Sequence, residues 1–156
     1  MSSEMARVAR ERFGLEVERG DAEDVDLLGT FDVILLDDIL EHLSSPREFL
    51  RRLPEHLNAG GMLALKTPNA ESLSRKLLGK RWFHFKPDEH LHFFDRVSIA
   101  RLLREAGFAR VEVRAAPRMI SMSFLKHRLG LRRSPRAAPW LVFPVWTGEM
   151  AVYAWR

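Results

Sequence analysis

A chain of 156 residues, 46% hydrophobic and 29% charged, has the size and balance of one globular domain. It carries no cysteine, which excludes disulfides, thiolate metal sites and thiol nucleophiles and agrees with a reducing, cytoplasmic setting. The formal charge of +4 is uneven: Arg118, Lys126, Arg128, Arg132, Arg133 and Arg136 follow one another with no acid between them, whereas 20–41 is rich in Asp and Glu. Only Phe124 is interleaved as an aromatic residue with these cations before Trp140, so they read as a solvated surface and not as a nucleic-acid site. Residues 1–13 are polar and amphipathic, unlike a secretory leader. The longest apolar stretch, 137–146, is broken by Pro139 and Pro144 and falls far short of the roughly 20 residues of a spanning helix.

Ser2 or Ser3 can cap a helix that runs to Phe13, with Gly14 as its stop. Residues 15–19 alternate like a short strand, and 20–24 make an acidic loop. The Phe/Val/Ile/Leu run at 31–36 has the pattern of a parallel strand covered on both faces. Phe49, Leu50, Leu53 and Leu57 predict a helix over 46–57, kinked at Pro54 and ended by Gly60 and Gly61. A strand over 62–67 turns out at Pro68 and Asn69, and 71–78 suits a short helix. The stretch 79–94 is aromatic and histidine-rich without a period; Trp82, Phe83, Phe85, Phe93 and Phe94 suit core or lid packing. Asp95 or Ser98 opens a helix through Ala106, stopped by Gly107. Two strands, 111–115 and 150–155, close the chain around a lid or insertion at 118–148, all within one domain, 1–156.

Strands alternating with helices at short glycine-marked junctions predict an α/β sheet, whose ligands bind at the carboxyl ends of the strands. Asp37, Asp38, Glu41 and His42 lie just past such an end, where charges can remain half wet instead of buried. If that segment is helical, Asp38, Glu41 and His42 share one face at i, i+3 and i+4, as a solvated cap or as a working cluster. Two carboxylates and an imidazole could also hold a hard divalent cation, although no metal is assigned.

In this order the junctions resemble the class I S-adenosylmethionine-dependent methyltransferases, in particular the subgroup with the ubiquinone-type O-methyltransferases. The resemblance is carried by "GDAEDV", "FDVILLDDILEHL", "PREFLRRLPEHLNAGGMLALKTPN" and "HLHFFDRVSIARLLREAGF". It implies a Rossmann-like sheet with an antiparallel strand at its C-terminal end, and S-adenosylmethionine as cofactor. It implies further that Asp21 accepts a hydrogen bond from the adenine amino group, with the Ala22 backbone amide facing the ring, and that Asp37 and Asp38 lie near the sulfonium end. Glu41 and His42 match the subgroup's cleft pair, Pro68 and Asn69 its turn beside the acceptor, and His90 and His92 a histidine pair of its lid region. From the residues alone, Asp21 can equally be a turn residue capping its own backbone, and His90 a structural lid histidine.

Methyl transfer from a sulfonium asks the protein to align the groups, exclude water, and remove a proton if the nucleophile is a hydroxyl. His42, steadied by Glu41 or Asp38, is the first candidate for that base and His90 the second. The implied activity is transfer to an oxygen of a small or lipid-linked acceptor. The family's glycine-rich loop and acidic second-strand end have no counterpart before Leu15. The expectation is therefore a chain that starts partway through the fold, lacks its first two strands, and alone binds the cofactor poorly or not at all. Residues 15–19 would then pair directly with 31–36, pair with another chain in a homo-oligomer, or fray. Basic, amphipathic 119–131 and apolar 138–146 could clasp a membrane surface or a lipid-like acceptor, or pack over the sheet edge. The rival reading is a non-catalytic remnant or interaction module that has lost its cofactor loop.

Overall fold

The computed structural model describes residues 3–24, 27–122 and 142–156. Helix α1 occupies Ser3–Phe13 and Gly14 stops it in the left-handed conformation, at φ 63°. Residues 15–19 correct the first expectation: they join no ladder, and Arg10 Nε instead donates to the Val17 carbonyl at 3.0 Å. Two alternating apolar residues do not make a strand without a neighbour to pair with.

Strand β1, Phe31–Asp37, forms as its apolar run predicts, but it is not covered on both faces. Leu36 is buried, whereas Val33 and Leu35 are 53% and 67% exposed. The sheet order is β1-β2-β4-β3, so β1 is an edge strand, and α2 and α4 pack on the Leu36 face. Helix α2, Pro46–Arg52, starts with proline, whose fixed φ suits the first helical position. The Ser45 side chain does not cap it; the Glu23 carboxylate accepts the Ser44 and Ser45 N–H groups at 2.9 and 2.6 Å. The helix gives way at Pro54 to a 3-10 turn, Leu53–His56.

Strand β2, Leu57–Pro68, starts earlier than periodicity predicted, because 58–61 extend along a register shift opposite Phe31 and Val33 instead of ending a helix. Helix α3, Leu73–Leu78, is capped by the Ser72 hydroxyl, which accepts the Arg75 N–H at 3.2 Å. Helix α4, Arg96–Glu105, begins with the reciprocal Asp95–Ser98 capping box.

Strands β3, Arg110–Ser121, and β4, Val142–Trp155, are far longer than the short closing strands expected. Residues 118–121 and 142–148, anticipated as lid, are therefore largely ladder residues, and no amphipathic helix opens at Met119. The remaining lid expectation, with Lys126, Arg128, Arg132, Arg133, Arg136 and Trp140, falls outside the described residues.

β1 and β2 are parallel, and β4 lies antiparallel between β2 and β3. This is the α/β sheet that the alternation of elements predicts, with the antiparallel C-terminal strand that the resemblance implied. Its covered face, Leu36, Leu63, Leu65, Met150, Val152 and Ala154, packs on Phe49, Leu50 and Leu53 below α2 and on Ile99 and Leu103 of α4. Each of these buried side chains larger than alanine contributes about 1.5–3 kcal/mol, and together they hold the carboxyl ends of β1 and β2 at one edge of the core. Among the described residues no helix is long and apolar enough to cross a membrane.

Candidate active site

Beyond β1 the backbone turns sharply. Asp38 is the one described non-glycine residue with positive φ, at 51°, and its N–H still bonds the Lys66 carbonyl at 3.1 Å. The segment after it is a single 3-10 turn, Leu40–His42, and not the helical face that the i, i+3, i+4 spacing suggested. Glu41 and His42 consequently diverge. Glu41 turns inward, is 1% exposed, and accepts a hydrogen bond from Thr67 Oγ1 at 2.9 Å. Burial pushes its carboxyl above the usual carboxylate range, against the lowering effect of its hydrogen bonds.

His42 stays exposed, with Nδ1 2.7 Å from the Glu89 carbonyl oxygen. A carbonyl only accepts, so Nδ1 carries a proton, and in the uncharged ring the lone pair is on Nε2. The expected orienting carboxylate, Glu41 or Asp38, is thus replaced by a backbone oxygen. The Glu41 carbonyl accepts the Leu91 and His92 N–H groups at 2.9 and 3.1 Å, which ties the histidine-rich loop to the turn. His90 is buried, its ring meets that of His42 edge-on at 4.8 Å, and burial followed by the His42 charge lowers its pKa. A neutral imidazole results, able to take up a proton.

Asp38, Glu41, His42, His84 and His90 line one small cavity of about 180 Å³ with Arg118. Ligand atoms of Glu41, His42 and His90 lie within 4.8 Å of one another. In that donor set His90 stands where the spacing had put Asp38, because the Asp38 carboxylate is taken by Arg118. Asp37 joins neither this cavity nor its neighbours, and pairs across the ladder with Lys66 at 2.5 Å. Asp21 and Ala22 lie apart from the cavity, in a hollow of about 620 Å³ with Leu27, Leu28 and Phe31. Asp21 Oδ1 accepts the Glu23 N–H at 3.1 Å, so the self-capping turn is real, and the second oxygen makes no hydrogen bond among the described residues. Glu16 and Glu18 also line the hollow, so that free carboxylate oxygen sits between acidic and apolar walls.

A model of the methyltransferase domain family matches residues 3–113. The chain belongs to that family. The ubiquinone biosynthesis O-methyltransferase of Schizosaccharomyces pombe mitochondria is 40% identical over 63 residues, 40% of this chain and 23% of the relative. The trans-aconitate 2-methyltransferase of Rhodococcus jostii is 32% identical over 118 residues, 69% of this chain and 46% of the relative. The chain thus spans less than half the length of either curated relative. A S-adenosylmethionine-dependent methyltransferase of Thermotoga maritima superimposes with a TM-score of 0.64 at 20% identity, covering 99% of this chain and 70% of its own. The sheet is therefore of the Rossmann-like methyltransferase type, and family membership implies S-adenosylmethionine as cofactor.

Three residues in or beside this cavity escaped sequence reasoning. Glu149, at the start of the apolar half of β4, has a fully buried side chain, 3.2 Å from Arg118 and 3.6 Å from His84 Nε2. Burial raises its pKa and Arg118 opposes the rise. Asp38 Oδ1, His84 Nε2, His90 Nδ1 and both Glu149 oxygens are buried without hydrogen bonds, so this cluster is poorly satisfied. A lone acid entering an apolar strand was the one signal for Glu149, and nothing in the sequence singles out His84; Arg118, read with the basic run as solvated surface, is instead 28% exposed and paired with Asp38 and Glu149.

His84 is 3% exposed, and burial, reinforced by the Arg118 charge, lowers its pKa from 6.5 to about 4. Above pH 6.5 the ring is neutral folded and unfolded. As the pH falls the unfolded chain binds a proton that the folded chain refuses, and about 3 kcal/mol of stability is lost by about pH 4. The raised carboxyls of Glu41 and Glu149 act oppositely, losing stability as pH rises through their folded values. Those two are common to the wild type and His84→Gln, so urea unfolding across this range is expected to show an acid loss smaller by about 3 kcal/mol in the variant. Parallel curves would mean that His84 is not held neutral.

Proposed function

We propose that this methyltransferase domain takes part in S-adenosylmethionine-dependent methylation of a hydroxyl oxygen on a small or lipid-linked acceptor, as in the ubiquinone-type subgroup. One observation carries the reading: the polar cavity of His42 and His90 shares Phe83 and Arg118 with an adjoining hollow of about 450 Å³ that also has Met119, Ile120 and Val142 in its wall. A small polar compartment opening onto an apolar one suits a molecule with a hydroxylated head and a greasy body. A hydroxyl needs a base, a carboxylate does not, and the cavity holds two imidazoles with lone pairs to offer.

Asp21 and the Ala22 amide would hold the adenine end of the cofactor, and Asp37 and Asp38 would lie near its sulfonium end. When bound, S-adenosylmethionine supplies an electrophilic methyl group on a good leaving group. His42 Nε2 takes the acceptor proton, the Glu89 carbonyl fixes the ring's tautomer, and His90 is the second base. Phe83 and the apolar wall exclude water from the nucleophile.

The test is the chemistry of the product. On incubation with methyl-labelled S-adenosylmethionine and a mixed panel of amphipathic phenols and carboxylic acids, whatever label is transferred, however slowly if this chain alone holds the cofactor poorly, is expected to resist alkaline hydrolysis, as an ether does. Alkali-labile label would mean a methyl ester and a carboxylate acceptor, which the trans-aconitate relative would then explain. Absence of both cofactor binding and transfer would favour the remnant.

A further inference from the structure

Helix α3 turns its leucines outward. Leu73 and Leu77, one turn apart on the same face, are 71% and 76% exposed, and Leu78 is 51% exposed. They are not isolated. Leu73 shares a hollow with Trp146 of β4, itself 65% exposed. The arrangement is anchored: Ser74 Oγ and Trp82 Nε1 both donate to the Thr147 carbonyl at 2.9 Å, which fixes the helix and the turn after it beside Trp146. Residues 72–87 contain no acid and carry Arg75, Lys76, Lys80, Arg81 and Lys86. Lys86 pairs with Glu89, and Arg75 lies over the Trp82 and Phe85 rings. Lys76, Lys80 and Arg81 make no ion pair among the described residues.

Contiguous exposed leucines mark a contact surface, and the cations beside them narrow the choice of partner. A second copy of this patch would set the same positive groups against each other, a like-charge contact that costs affinity. An anionic bilayer satisfies every component at once. Its headgroups attract the lysines and arginine, the acyl boundary takes the leucine side chains, and an indole prefers the interface between them. We propose that α3, the turn Gly79–Arg81 and Trp146 form a docking surface for an anionic lipid bilayer.

Co-sedimentation of the full chain with vesicles of mixed phosphatidylcholine and phosphatidylglycerol tests this directly. Binding is expected to these vesicles, to fall with added salt, and to be weak on phosphatidylcholine alone. Two double variants, Leu73→Glu with Leu77→Glu and Lys76→Glu with Lys80→Glu, are each expected to partition about tenfold or more weakly. All four side chains are exposed, so unchanged circular dichroism and melting curves are expected of both variants. A wild-type chain that stays in the supernatant would overturn the proposal, as would variants that sediment like the wild type or equal binding to neutral vesicles. Concentration-dependent self-association in sedimentation equilibrium, abolished by the leucine variant, would assign the patch to a second copy instead.

Discussion

His42→Ala is expected to slow methyl transfer to a hydroxyl acceptor by about 10²–10⁴-fold, the usual contribution of a positioned general base, with little change in KM. The expectation rests on geometry: the Glu89 carbonyl leaves Nε2 as the basic nitrogen, and the ring is exposed at the mouth of the polar cavity. Added imidazole should restore part of the lost rate, because the truncated side chain leaves room in that cavity for a small base. His90→Gln should cost less, since the buried His90 ring stands behind His42. Turnover of His42→Ala equal to the wild type would reduce His42 to packing. A loss that imidazole leaves untouched would make its role structural.

Which parts of this site could be read beforehand follows from how local their causes are. Helix α4 was legible because Asp95, Ser98 and Gly107 act within a turn of the backbone they cap, and β1 because the four consecutive apolar residues 33–36 have few alternatives. The exposure of Val33 and Leu35 was not legible, since it depends on what covers a face, and β1 proves to be an edge strand. The same holds for the length of β3 and β4. Residues 118–121 extend β3 because 142–145 pair with them across the hairpin, a partnership that no single-chain period announces. The left-handed backbone at Asp38 cancels the helical spacing that had grouped Asp38 with Glu41 and His42. His90 joins Glu41 and His42 as anticipated, whereas Asp21 occupies a hollow of its own.

Arg118→Met is expected to destabilise the fold by about 3 kcal/mol near neutral pH, because breaking a buried ion pair strands the partner charge. Arg118 touches the carboxylates of both Asp38 and Glu149, and the Glu149 side chain has no solvent exposure to fall back on. The figure sits at the low end of the usual range since the Arg118 side chain is itself 28% exposed. Adding Glu149→Gln removes the stranded charge and should recover most of the loss, whereas Glu149→Gln alone leaves Arg118 paired with Asp38 and should cost little. The pH dependence has a definite sign. Burial already raises the Glu149 carboxyl and Arg118 holds the rise in check, so the variant's folded-state pKa moves higher still. A carboxyl with a raised folded pKa loses stability as pH climbs through that value, so the deficit of Arg118→Met should be larger near about pH 8 than near about pH 5. Urea unfolding of the two single variants and the double variant at both pH values measures the cycle. Equal deficits at the two pH values, with no recovery on adding Glu149→Gln, would show that the guanidinium acts through packing on Phe83, which it faces at 5.8 Å, and not through charge.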